Sequence, residues 1–155
     1  MRIIKRINVL LVLAAVLFMF AACTGRGTGE MVKVVTRSDD TSLVERYFNS
    51  VESCDSIDYE SIVFTTGRSV EIGPHESRFR GILYLPEDEA SKLWDKYEWE
   101  EVDSPDFEFD KLDKSTFGEG PWYRCNQFNS DNFKTVNVHS CYFDGKNIVF
   151  DFQQI

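Results

Sequence analysis

From Pro121 to the C-terminus the chain consists of three β-branched and aromatic runs divided by two turns, a pattern that constrains the fold more than any other. Pro121 to Phe128, Thr135 to Phe143 and Ile148 to Phe152 read as strands, with Asn129-Ser130-Asp131-Asn132 and Asp144-Gly145-Lys146-Asn147 as the connections. Connections this short join antiparallel neighbours, so a three-stranded meander is expected. Pairing Phe143 with Ile148 sets Cys141 opposite Phe150 and His139 opposite Phe152. Centring the other connection on Phe133 sets Cys125 opposite Cys141 and Tyr123 opposite Phe143. Both cysteines then fall on one apolar face, which predicts a Cys125–Cys141 cross-strand disulfide contributing about 3 kcal/mol in an oxidising compartment. Cys54 is left over, free or competing for one of that pair.

Upstream, the periodicity changes from two to 3.6. Leu43, Val44, Tyr47, Phe48 and Val51 form one helical stripe, with Asp40, Thr41 or Ser42 available as its cap. Ile62 to Thr66 reads as a short strand, although Asp58 to Phe64 equally fits a continued helix, and Arg78 to Leu85 reads as a strand. Pro86 opens the clearest helix. Glu87, Asp88 and Glu89 suit the positive end of its dipole, and Ala90, Leu93, Trp94 and Tyr97 make its apolar face. The expected fold class is α+β: helices packed on an antiparallel sheet that ends in the C-terminal meander. An apolar content of 43% and 22 aromatic residues supply a core for one such domain, assigned to residues 41–155.

The first 40 residues have another character. Arg2, Lys5 and Arg6 precede a run from Ile7 to Phe20 that is apolar except for Asn8, and Ala21-Ala22-Cys23 follows. The run is shorter than the roughly 20 residues of a membrane span and has the length of a signal-peptide core. Phe20-Ala21-Ala22-Cys23 resembles the lipobox of bacterial lipoproteins, although Phe20 stands where Leu is usual. The resemblance covers the leader alone. It implies cleavage between Ala22 and Cys23, lipid on the Cys23 thiol, and a mature protein held at the cell membrane on its extracytoplasmic face. Stable anchoring takes two or more acyl chains, each buried CH₂ contributing about 0.8 kcal/mol. Residues 23–40, opening Thr24-Gly25-Arg26-Gly27-Thr28-Gly29-Glu30, then read as a tether with a coil reach of roughly 20–25 Å.

Charge removes some classes of function. Without Arg2, Lys5 and Arg6, 14 Lys and Arg face 26 Asp and Glu, a net charge of −12. Such a body is repelled by nucleic acid and by anionic lipid. No catalytic residue, cofactor or metal is assigned. The two histidines lack zinc-ligand spacing, and no Gly-x-Ser-x-Gly is present. Asp106-Phe107-Glu108-Phe109-Asp110 alternates carboxylates with phenylalanines, but Lys111 and Phe117 stand where an EF-hand loop needs Gly and Glu. Trp94 and Tyr97 are assigned to the core, whereas Trp99 and Trp122, which flank the acidic stretch, join Asp106, Glu108 and Asp110 as a candidate ligand surface. The expectation is a lipid-anchored binding or interaction module with an acidic surface, its partner a basic protein or envelope component. The alternatives are a carboxylate-based envelope hydrolase and an immunity-type lipoprotein that captures a basic toxin or lytic enzyme.

Overall fold

The computed structural model describes residues 31–66, 77–103, 105, 108–113 and 120–154. The leader, Ala22 and Cys23, His75 and Asp106 lie outside the described residues. The domain is α+β, with seven strands and three helices among the described residues: β1 (Met31–Ser38), α1 (Ser42–Tyr47), β2 (Ser56–Thr66), β3 (Ser77–Tyr84), α2 (Glu87–Lys96), β4 (Glu100–Val102), β5 (Trp122–Arg124), α3 (Asn126–Asn132), β6 (Val136–Phe143) and β7 (Asn147–Gln154). All seven strands join one sheet in the order β1-β2-β3-β7-β6-β5-β4, and every pairing is antiparallel.

The C-terminal strand β7 lies at the centre, between β3 and β6. Its Ile148, Phe150 and Phe152 point into one apolar cluster, shared with Leu43, Tyr47 and Phe48 from α1 and its C-cap, Ala90 and Leu93 of α2, and Phe128 of α3. Phe48 holds this cluster together through edge-on ring contacts to Phe150 at 5.2 Å and Phe133 at 5.1 Å. On the other side of β7, Val149 joins Ile82, Trp122 and Tyr142 in a smaller cluster. A strand buried on both faces has to be apolar nearly throughout, which is why Ile-Val-Phe-Asp-Phe reads as a run rather than an alternation.

The interruption in that run is Asp151, 1% exposed. Arg78 grips it with Nε on Oδ1 at 2.6 Å and Nη2 on Oδ2, and Arg80 Nε lies 3.3 Å from Oδ2, within ion-pair reach though off the hydrogen-bond line. Glu60, fully buried on β2, accepts from the backbone N–H groups of Asp110 (3.0 Å), Lys111 and Leu112 (2.6 Å). One carboxylate thus cements β3 to β7, and the other clamps residues 110–112 to the sheet.

The observed register keeps three expected pairs, Phe143 with Ile148, Cys141 with Phe150 and Tyr123 with Phe143. It breaks the pairing of His139 with Phe152: Phe152 pairs with Val138, and His139 falls at a register shift as the extra residue of a bulge, exposed, with Nε2 3.4 Å from Gln153 Oε1. The strand expected over Pro121–Phe128 stops at Arg124. Cys125 caps α3 instead, its Sγ accepting the Phe128 N–H at 3.4 Å. Residues read as a loop become that helix because Asn132 is buried, takes the Ser50 N–H on Oδ1 at 2.7 Å and donates through Nδ2 to the Phe128 carbonyl at 2.8 Å.

Two boundaries also move. The tether assigned to residues 23–40 includes β1, so the domain starts at Met31 rather than at residue 41. An edge strand wetted on both faces carries no alternation to read. β2 starts at Ser56 and is 11 residues long, because Asp58 is held by Arg37 and Glu60 by the 110–112 backbone, so its acidic residues do not break the strand.

Two glycines separate steric from conformational cost. A Cβ on Gly81 would sit 2.5 Å from the Asp58 carbonyl and 2.5 Å from the Tyr59 Cβ, so Gly81→Ala has to prise β2 from β3. Gly145 has φ +86° and nothing within 4 Å of its Cβ position, so Gly145→Ala meets only the left-handed backbone penalty of about 1–2 kcal/mol. Urea denaturation should therefore show Gly81→Ala losing more than Gly145→Ala, up to about 3 kcal/mol; the reverse order would contradict the register.

Candidate functional site

The structure does not bring the expected ligand surface together. Trp99 is half-buried in the larger cluster, its ring 4.8 Å from Phe143 and 5.4 Å from Phe128, and its indole N–H caps α2 by donating to the Leu93 carbonyl at 3.0 Å. Trp122 is 5% exposed in the smaller cluster, against Ile82, Tyr142 and Val149. The two indoles belong to different apolar clusters. Asp110 is neutralised within the chain, 2.5 Å from Lys33 Nζ and 4.0 Å from Arg80 Nη1. The Glu108 carbonyl takes Arg80 Nη1 at 2.8 Å, while its side chain is exposed. The described part of this acidic stretch therefore spends its hydrogen bonds and one of its charges on its own sheet.

Trp94, assigned to the core from its place on the helical stripe, is the exposed indole at 42%. Ala90, Leu93 and Tyr97 take the buried positions of α2, which leaves Trp94 at the margin of the stripe, over the junction of β5 and β6. Its ring meets Tyr123 edge to face, centroids 4.8 Å apart and planes at 87°, and leans on buried Phe143 at 6.0 Å. The two rings make a right-angled aromatic corner in a groove of about 460 Å³ completed by Ser91, Asp95, Pro121 and Asp144.

The charged side chains lining this groove, Asp95 and Asp144, are both acidic. Asp144 is fixed by its turn: Oδ1 accepts the N–H groups of Lys146 (2.8 Å) and Asn147 (2.5 Å), and Oδ2 accepts Asn147 Nδ2 at 3.1 Å. A carboxylate so occupied is held in place by its turn. Asp95 is exposed one residue beyond Trp94. An aromatic corner flanked by carboxylates attracts a cation twice, through the ring quadrupoles and through Coulomb attraction. Two further grooves among the described residues are lined differently. One of about 350 Å³ sets Arg124 against Glu98 and Glu100, and another of about 530 Å³ holds the Arg37–Asp58 pair.

Among the described residues, Cys54, Cys125 and Cys141 are free thiols. Burial, and secondarily Asp55, push the Cys54 thiol up, away from the thiolate. Among the described residues the wall around it is formed by Thr41, Val44, Glu45, Val51, Glu52 and Ser53. Cys125 and Cys141 are buried free thiols, and burial raises Cys141 strongly. Cys125 and Cys141 are not bonded to each other in this structure, although the two thiols lie near enough to interact electrostatically, with Cys125 Sγ accepting the Phe128 N–H at the first turn of α3. Among the described residues no group of three or more His, Cys, Asp and Glu is placed to hold a metal ion.

Alkylation of the native protein at pH 7.5 should modify Cys54 slowly, with a rate still climbing above the usual thiol pKa of about 8.5, and leave Cys125 and Cys141 untouched. Unfolding without reductant should then release both buried thiols, whereas a mass deficit of two hydrogens would reveal a bond between them. Signal for the Trp94 groove existed in the sequence as the Asp-Gly turn and the amphipathic helix, but their meeting at Tyr123 depends on tertiary structure. Comparison with protein families, with curated proteins and with solved structures finds no match to the chain.

Proposed function

We propose that this chain is a lipid-anchored, extracytoplasmic binding module that captures a positively charged group of a basic protein or envelope component in the Trp94–Tyr123 groove. The observation that carries the reading is the exposed indole set at right angles to Tyr123 between Asp95 and Asp144. Leaving a large aromatic exposed costs hydrophobic stabilisation that burial would supply, and an aromatic floor with a charged rim is typical of recognition sites. The net charge of −12 left after loss of the leader adds long-range attraction for a cationic partner.

The anchoring half of the proposal rests on Arg2, Lys5 and Arg6, the apolar run and Ala21-Ala22-Cys23. We also read the three helices as a layer over the sheet face that carries Ile148, Phe150 and Phe152, with the groove at the margin of that layer. Capture of a basic toxin or lytic enzyme is one form this function takes. The hydrolase alternative needs a carboxyl poised to give up a proton near pH 7. Asp40 is held below the usual carboxylate range because it accepts the N–H and O–H of Ser42.

Crosslinking on intact cells, with full-length protein as bait, tests the binding half. Wild type should retain one dominant basic partner, Trp94→Ala should lose it, and Asp95→Asn should weaken it about three- to tenfold, as expected for a partly exposed ion pair of about 1 kcal/mol. Retention of the partner by Trp94→Ala would move the site elsewhere. For the anchor, Cys23→Ser should abolish labelling by a fatty-acid analogue, and labelling that survives the substitution would refute the lipidation site.

A further inference from the structure

Apart from Trp94, the large hydrophobic side chains that stand exposed among the described residues are Met31 (67%), Val32 (47%), Val34 (44%) and Phe64 (49%). These four gather at one corner of the sheet: Met31 pairs with Thr66, Lys33 with Phe64 and Val34 with Val63, at the start of β1 and the end of β2. β1 is also a sheet edge, with β2 as its neighbour on one side only. Strand alternation sends Val32 and Val34 to one side of the sheet, and Phe64, opposite Lys33, to the other. The corner is therefore apolar on both sides. A rigid partner laid against either face covers half of it, whereas a fluid apolar medium that the corner enters covers all of it. Lys33, the charged side chain within the corner, is already paired with Asp110.

We infer that this β1–β2 corner docks into the lipid interface of the membrane that carries the anchor. The inference rests on the lipoprotein reading, since what brings the corner to a bilayer is its distance from Cys23. Residues 24–30 separate the two, and at 3.3–3.6 Å per residue even a fully extended chain keeps Met31 within roughly 30 Å of the lipidated residue. A surface held that close meets the interface at high effective concentration, so weak apolar contacts are enough. The docked domain has a defined orientation. The β6–β7 turn that supplies Asp144 to the groove lies at the other end of the strands, where Tyr84 pairs with both Ser56 and Asn147. Eight-residue strands put that end about 25 Å from the corner, which sets the groove on the side away from the lipid.

The test uses full-length protein, checked for fatty-acid label at Cys23 and reconstituted into phosphatidylcholine vesicles with brominated acyl chains, which quench nearby indoles. Phe64→Trp reports on the corner and Lys146→Trp on the far end. At least twofold quenching of the added indole is expected at position 64, with little at 146, and adding Val32→Glu with Val34→Glu should abolish it while the label persists. Both changes fall at exposed positions, so circular dichroism should show the fold intact. Equally weak quenching at 64 and 146 in labelled protein overturns the docking and leaves the anchor standing. Protection of position 64 accompanied by a crosslinked dimer identifies a second copy as the occupant and also overturns it. Absence of the label at Cys23 overturns the anchor and the docking together.

Discussion

A carboxylate in the middle of the central strand organises this domain. Asp151 occupies a place that an apolar residue would fill without penalty, and it is tolerated because two guanidinium groups on β3 reach it. Buried ion pairs of this kind add little net stability over an apolar replacement, but losing one partner leaves an uncompensated charge and is severe. Their effect here is selective. A one-residue slip of β3 against β7 would carry Arg78 and Arg80 to the opposite sheet face and strand Asp151, so the ion pairs select against that slip. Arg80 then extends the same network outward, holding the Glu108 carbonyl, while neighbouring Glu60 collects the N–H groups of residues 110–112. Glu60 and Asp151 are thus internal structure rather than display.

Which parts of this were legible in the chain follows from what local pattern encodes. The meander pairs around Asp144-Gly145 and the helix after Pro86 were legible because periodicity and turn chemistry agree there. β1 was not, since a strand exposed on both faces has no apolar period, and α3 was not, since its polar residues become helical through contacts with Ser50, 82 residues away. The tryptophans show the limit most clearly. Trp94 shares its helical stripe with buried Leu93 and Tyr97, and only the position of the sheet decides which of them it covers. Trp122 looked like the edge of an acidic loop, yet Val102 and Phe109 pack with its cluster and bury it. The ligand surface was sought where carboxylates are dense along the chain, whereas the groove proposed to bind a cation has Asp95 and Asp144 as its charged lining among the described residues.

The groove itself uses parts that the fold already needs. The Asp144 carboxylate orders the turn between β6 and β7, α2 contributes Ala90 and Leu93 to the core, and Phe143 supports both cluster and corner. The rigidity of a recognition site of this kind comes from its placement on a helix, a strand and a tight turn rather than on a long loop.

The place of β7 in the chain has a consequence for biosynthesis. The strand that divides the sheet into two halves is the last one to be made, and its partner β3 precedes it by about 70 residues. Until the C-terminus is available, β1-β2-β3 on one side and β4-β5-β6 on the other have no common seam, and each half lacks the Phe150 and Phe152 rings that complete the core. Long-range antiparallel closure of this sort is slow compared with local helix or hairpin formation. Among the described strands, the two halves of the sheet therefore gain their common seam only when β7 pairs with both β3 and β6.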